Sequence, residues 1–161
     1  MFERRHPYAT LFTIAILLGM VAWFAGGSEV KDIAPYYLKR VVGETATVRI
    51  VDYSVKVEVA RTVAARRKGL SGRDSLALDK GMLFVFHEPA IYPFTMQNTR
   101  IPLDIIWILD GTIVYIAHSA QPGEANITPE AEANYVLEVN GGVANGHRWT
   151  VGNTVAITFD K

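Results

Sequence analysis

Asp104 is the residue whose surroundings demand most of chemistry, because it is the only charge between Arg100 and Asp110, in a run of Pro, Leu, Ile and Trp. Once buried, such a carboxylate must be paired or hydrogen-bonded; Arg100 and the neutral groups of Asn98 and Thr99 just before it, and Arg73 in the earlier RKGLSGR segment, are the obvious partners. Two readings stay open: a polar pocket in which Asp104 and Asn98 meet a ligand, or a structural carboxylate that pins the turn at Pro102 to a sheet. Glu138 is the second charge embedded in an apolar run, YVLEV, where alternation sets it with Val136 and opposite Tyr135, Leu137 and Val139. By itself it reads as part of an exposed sheet face. Together with Asp104 it supplies the two carboxylates of glycoside hydrolysis, although sequence does not fix their separation. Met82 and Met96 read either as flexible walls of an apolar ligand cleft or as core filler.

Other chemistries lack their parts. The chain has no Cys, which removes disulfides, thiolate metal sites and cysteine nucleophiles. His87, His118 and His147 have no metal-ligand spacing, so neither a metal nor a cofactor is expected. There is no Gly-x-Ser-x-Gly elbow, phosphate loop or dinucleotide fingerprint. Sixteen basic residues balance sixteen acidic ones, so the chain lacks the cationic surplus of a nucleic-acid binder. The charge is nonetheless polarised: residues 45–100 hold nine basic and five acidic side chains, residues 101–147 six acidic and no Lys or Arg. Arg61, Arg66, Arg67, Lys68 and Arg73 form either a patch for anionic headgroups or a glycan polymer, or simply a solvated helix face.

The elements that must position these groups are mainly strands. Val55, Val57 and Val59 alternate with Lys56 and Glu58, and Val155, Ile157 and Phe159 alternate with smaller or polar residues. LFVF (83–86) and IIWIL (105–109) are continuous apolar runs, suited to strands covered on both faces. Asp110-Gly111 between two β-rich runs marks a two-residue hairpin, and YVLEV (135–139) is stopped by Asn140-Gly141-Gly142. Thr62 can cap a short helix through Lys68, with Gly69 at its C-terminal stop and Arg66, Arg67 and Lys68 in its last turn. The expected fold is mainly β: a compact antiparallel sandwich or small barrel with one or two short helices.

Residues 9–27 carry no charge and follow Arg4, Arg5 and His6. About 20 apolar residues span a membrane core of about 30 Å, with the arginines on the cytoplasmic side. The expectation is an N-terminal membrane anchor or signal segment (1–27), with an uncleaved anchor favoured because Trp23 and Phe24 spoil most cleavage sites. A linker (28–44) and a β domain (45–161) follow, the domain lying on the extracytoplasmic, periplasmic side.

Taken together, RKGLSGR (67–73), DKGMLFVF (79–86), FTMQNTRIPLDIIWI (94–108), DGTIV (110–114), YVLEVNGG (135–142) and VGNTV (151–155) make the segment from about Val48 to Phe159 resemble the DUF192 (UPF0127) family. The resemblance implies a compact, mostly β domain, often behind a secretory signal or anchor, and implies no activity. Where the family usually has Trp and Lys flanking the Met of its aromatic-Trp-Met-Lys-Asn-Thr run, this chain has Thr95 and Gln97. It also has Ser71 for the usual Met and Asn153 for the usual Asp. The functional expectation is an extracytoplasmic binding or interaction domain for a small molecule, glycan or protein, with Arg73, Met96, Asn98, Thr99, Asp104 and Glu138 as candidate ligand contacts. The alternatives are an envelope-associated enzyme working through Asp104 and Glu138, and a purely structural subunit.

Overall fold

The computed structural model describes residues 43–161, within which Glu44–Lys161 forms a compact unit. The expected anchor and nearly all of the expected linker lie outside the described residues. Among the described residues no helix is long and apolar enough to cross a membrane.

Seven strands and two short helices make up the unit: β1 (Thr45–Ile50), β2 (Tyr53–Ala60), α1 (Val63–Lys68), β3 (Lys80–Ala90), β4 (Leu103–Leu109), β5 (Thr112–Ala120), β6 (Ala133–Asn140), α2 (Val143–Gly146) and β7 (Val155–Phe159). They form one sheet in the order β5-β4-β6-β3-β2-β1-β7. All neighbours are antiparallel except β2 and β3, which run parallel because α1 and the segment after it carry the chain back across the sheet. The two edge strands meet at one end, where Thr112 bridges Thr154 and the N–H of Val155 donates to the Gly111 carbonyl at 2.8 Å. The sheet is therefore a curled half-barrel. Of the two architectures expected, sandwich or small barrel, the fold lies nearer the barrel: a single curled sheet, with one parallel pair where an antiparallel sheet was expected.

Local chemistry accounts for the elements. Asp110 and Gly111 both have positive φ (47° and 78°), the pattern of a type I′ turn, and they set Leu109 opposite Thr112. Thr62 caps α1 through its Oγ1, which accepts the Ala65 N–H at 3.1 Å, and Gly69 ends the helix at φ 47°.

Curling divides the core in two. Inward-facing residues from all seven strands, among them Val48, Val55, Leu83, Ile106, Ile113, Leu137 and Val155, fill the concave side with Trp149. On the convex side of β3, β4 and β6, Met82, Phe84, Leu103, Ile105, Trp107 and Val136 are covered by Leu70, Met96 and Ile127 from connecting segments. This second layer is where the sheet and its covering segments leave a cleft.

Candidate functional site

Asp104 lies on the concave side, fully buried. Its Oδ1 accepts the N–H of Ser119 and its Oδ2 the N–H of Ala144, each at 2.7 Å. Ser119 is near the end of β5 and Ala144 is in α2, so one carboxylate ties three elements together. The expected arginine partners are elsewhere: Arg73 pairs with Glu58 at 2.7 Å and Arg100 with Asp74 at 2.7 Å. Asp104 is thus a structural brace, but it holds Ser119 and the start of α2 rather than the Pro102 turn.

Glu138 has the opposite environment. It sits opposite Met82 on β3 and Ile105 on β4, both convex-side core residues, and is only 5% exposed. The alternation expected for it holds, but its face is covered and not exposed. Its Oε2 is buried without a hydrogen-bond partner, and burial pushes its carboxyl from the ordinary 4.5 up to about 8. Glu138 is therefore uncharged at neutral pH, able to donate a hydrogen bond to a group placed above it.

Glu138 is on the floor of a cleft of about 450 Å³. Phe84 and Phe86 of β3 share the floor, while one wall is α1 and the turn after it, from Val63 through Ser71. The other wall is the segment from Tyr92 to Thr99. The walls hold one another: the Gly72 N–H donates to the Asn98 carbonyl at 2.8 Å, and Arg66 donates through Nη1 to the carbonyls of Arg61 and Val85 while lying over the Phe86 ring. Phe86 stacks on Tyr92 at 3.6 Å between ring centres, and Phe94 meets Phe84 and Trp107 edge-on. The volume and the mixture of aromatic wall with a few polar groups are those of a small-molecule site.

Of the six residues expected to contact ligand, three are at the cleft: Glu138, Asn98 and Thr99. Asn98 is exposed in a left-handed conformation (φ 63°), and Thr99 is buried. The other three are not on its walls. Arg73 is held by Glu58, Met96 is fully buried where its own segment packs on the sheet, with Met82 in the same core layer, and Asp104 faces the other side of the sheet. The expected pairing of Asp104 with Glu138 is corrected accordingly: they occupy successive register positions, opposite Val139 and Ile105, and project to opposite faces. Among the described residues no three His, Cys, Asp or Glu converge on a common point; His147 stacks on Tyr53 at 3.7 Å, and His87 is exposed beside Glu88.

Sequence reasoning missed the aromatic wall and the cleft-facing role of Arg66, Arg67 and Lys68. The burial of Glu138 follows from the strand order: β6 lies between β3 and β4, whose runs LFVF and IIWIL are apolar throughout, so its own faces are covered as well. Thr95 and Gln97, two positions at which the chain departs from the family pattern, also border the cleft.

The fold and site define a small half-barrel β domain with a covered convex face and a cleft between that face and its cover. Residues 45–157 match the family model DUF192, described as "Uncharacterized ACR", and the chain belongs to that family. Two solved structures are similar. A protein of unknown function from Novosphingobium aromaticivorans DSM 12444 is 34% identical, with a TM-score of 0.65 over 70% of this chain and 83% of its own. A proposed transcription regulator from Sinorhizobium meliloti 1021 is 34% identical, with a TM-score of 0.68 over 71% of this chain and 95% of its own. No curated protein matches the chain.

Proposed function

We propose that this protein is a ligand-binding domain whose site is the cleft over Glu138, held on the extracytoplasmic side of a membrane by residues 9–27. The single observation that carries the binding reading is the buried Glu138 carboxyl with an unpartnered oxygen beneath an open aromatic cleft. Folding alone would favour Leu or Met at that position, since an unpaired buried polar atom costs about 1–3 kcal/mol. A group retained against such a cost is one that meets something the folded chain does not contain. Asp104 projects to the face of the sheet away from the cleft, each oxygen accepting a backbone N–H there, and so gives the two-carboxylate hydrolase reading no support.

The anchor reading is supported by the uncharged run behind Arg4 and Arg5. Fractionation with protease accessibility tests it: the domain should sediment with membranes and be digested in spheroplasts. A soluble product starting after Gly27 would replace the anchor with a cleaved signal. The cleft is tested by screening a chemically mixed fragment library against the full chain by NMR. Hits should shift resonances of Phe86, Asn98 and Thr99 and vanish in Thr95→Trp, which puts a large side chain on the cleft wall. Hits that map elsewhere and survive this substitution would refute the site.

A further inference from the structure

We propose that the cleft over Glu138 takes a small organic anion, a carboxylate or phosphate monoester on a flat apolar body, with its charge met by Arg67 and Lys68. The inference rests on reading the cleft as the binding site and names the chemistry of its occupant.

Charge around the cleft is one-sided. Arg66, Arg67 and Lys68 border it from the last turn of α1, and among the described residues Glu138 is the only acidic one that lines it. Arg61 and Arg73, which flank this basic run, are each committed to a carboxylate, Glu44 at 2.8 Å and Glu58 at 2.7 Å. Arg66 is fixed by two carbonyls and the Phe86 ring. Arg67 and Lys68 are exposed and pair with no carboxylate among the described residues. Favourable placement at a helix C-terminus explains why cations are tolerated there, but not why they border an aromatic cleft.

Glu138 does not offset this charge. Desolvation is the sole cause of its raised pKa, so no cation of the rim stabilises an ionised form. At neutral pH the cleft therefore presents cations at its mouth and a neutral hydrogen-bond donor on its floor. An anion with an acceptor atom toward the floor satisfies both, whereas an amine meets like charge at the mouth. Leu70, Phe84, Phe86 and Phe94 supply an apolar enclosure, and about 450 Å³ suits a molecule of one or two rings.

The test is calorimetric titration of the full chain in detergent with four probes of similar shape: benzoate, phenyl phosphate, benzylamine and benzamide. At least one of the two anions should bind tenfold or more tightly than benzylamine and benzamide. Arg67→Ala/Lys68→Ala should reduce that affinity at least tenfold while melting as wild type, because both side chains are exposed. The ratio of benzoate to phenyl phosphate affinity separates a carboxylate ligand from a phosphorylated one. Equal binding of benzamide, an undiminished affinity in the double variant, or no saturable binding of either anion overturns the inference. In the first of these outcomes, contacts that still map to Phe86 and Asn98 leave the cleft standing as a binding site; contacts that map elsewhere remove the site itself.

Discussion

Replacing Glu138 with Gln keeps the side-chain shape and removes its proton equilibrium, so it measures what burying this carboxyl costs. Burial raises the group from 4.5 to about 8, with desolvation as the cause. At about 1.4 kcal/mol per unit, the protonated form is favoured in the folded state by about 5 kcal/mol. Because the folded-state value lies above the unfolded one, the native state binds more protons between pH 4.5 and 8. Stability is therefore lost as pH rises through this window. Below pH 4.5 the group is protonated in both states and contributes nothing; at pH 7 the loss is about 3 kcal/mol, and above pH 8 the full penalty applies. The Gln amide carries its own burial cost, which does not vary with pH. Urea denaturation of both proteins at pH 5, 7 and 8.5 should show their difference in unfolding free energy moving in favour of the Gln variant by about 3–5 kcal/mol. Taking the difference cancels every other titrating group. Parallel stability curves from pH 5 to 8.5 would refute the reasoning, because they would mean that Glu138 ionises in the folded protein as it does in the unfolded chain.

Three further substitutions test the frame around the site. Val51 is an exposed residue with φ 56° at the first central position of the two-residue β1–β2 turn, where a type II′ turn favours glycine; Val51→Gly should raise stability by about 1–2 kcal/mol in chemical denaturation. Asp104→Ala leaves the buried N–H groups of Ser119 and Ala144 without their acceptor and should cost about 2–6 kcal/mol, with a loss under 1 kcal/mol excluding its bracing role. At Gly81 an added Cβ would stand 2.5 Å from the Glu138 carbonyl oxygen, so Gly81→Ala should lower stability by about 1–3 kcal/mol. A wild-type melting curve would show instead that β3 and β6 can separate there.

The parts of this fold legible in the sequence are those governed by neighbouring residues. The Asp110-Gly111 turn, the Thr62 cap, the Gly69 stop and the alternation in β2 and β7 are decided within a few positions, and each occurs where the residues require it. The parallel pairing of β2 with β3 and the meeting of β5 with β7 depend on which distant strands become neighbours, for which the side-chain pattern carries no signal. The same limit applied at Asp104. Its partners are the backbone N–H groups of Ser119 and Ala144, and a backbone donor belongs to every residue but proline, so no residue type marks them, whereas the arginines that residue type does mark bind elsewhere.

The two buried carboxyl groups differ in what surrounds them, and the proposed site follows from that difference. They are on the neighbouring strands β4 and β6, and adjacent register positions send one inward and the other outward. The inward group has an N–H on each oxygen, so its removal would disturb the fold. The outward group has an oxygen that no atom of the described chain satisfies, yet it lies beneath the one wall of the cleft that carries cations. A carboxylate bonded to arginines there would make a closed, inert cluster. Arg61 and Arg73 pair with Glu44 and Glu58 and do not line the cleft, whereas Arg66, Arg67 and Lys68 do, above a carboxyl that burial keeps protonated. The peripheral ion pairs are worth little to stability at their exposure; under the proposed reading it is Arg67 and Lys68, which border the cleft and pair with no carboxylate among the described residues, that would meet the charge of an occupant.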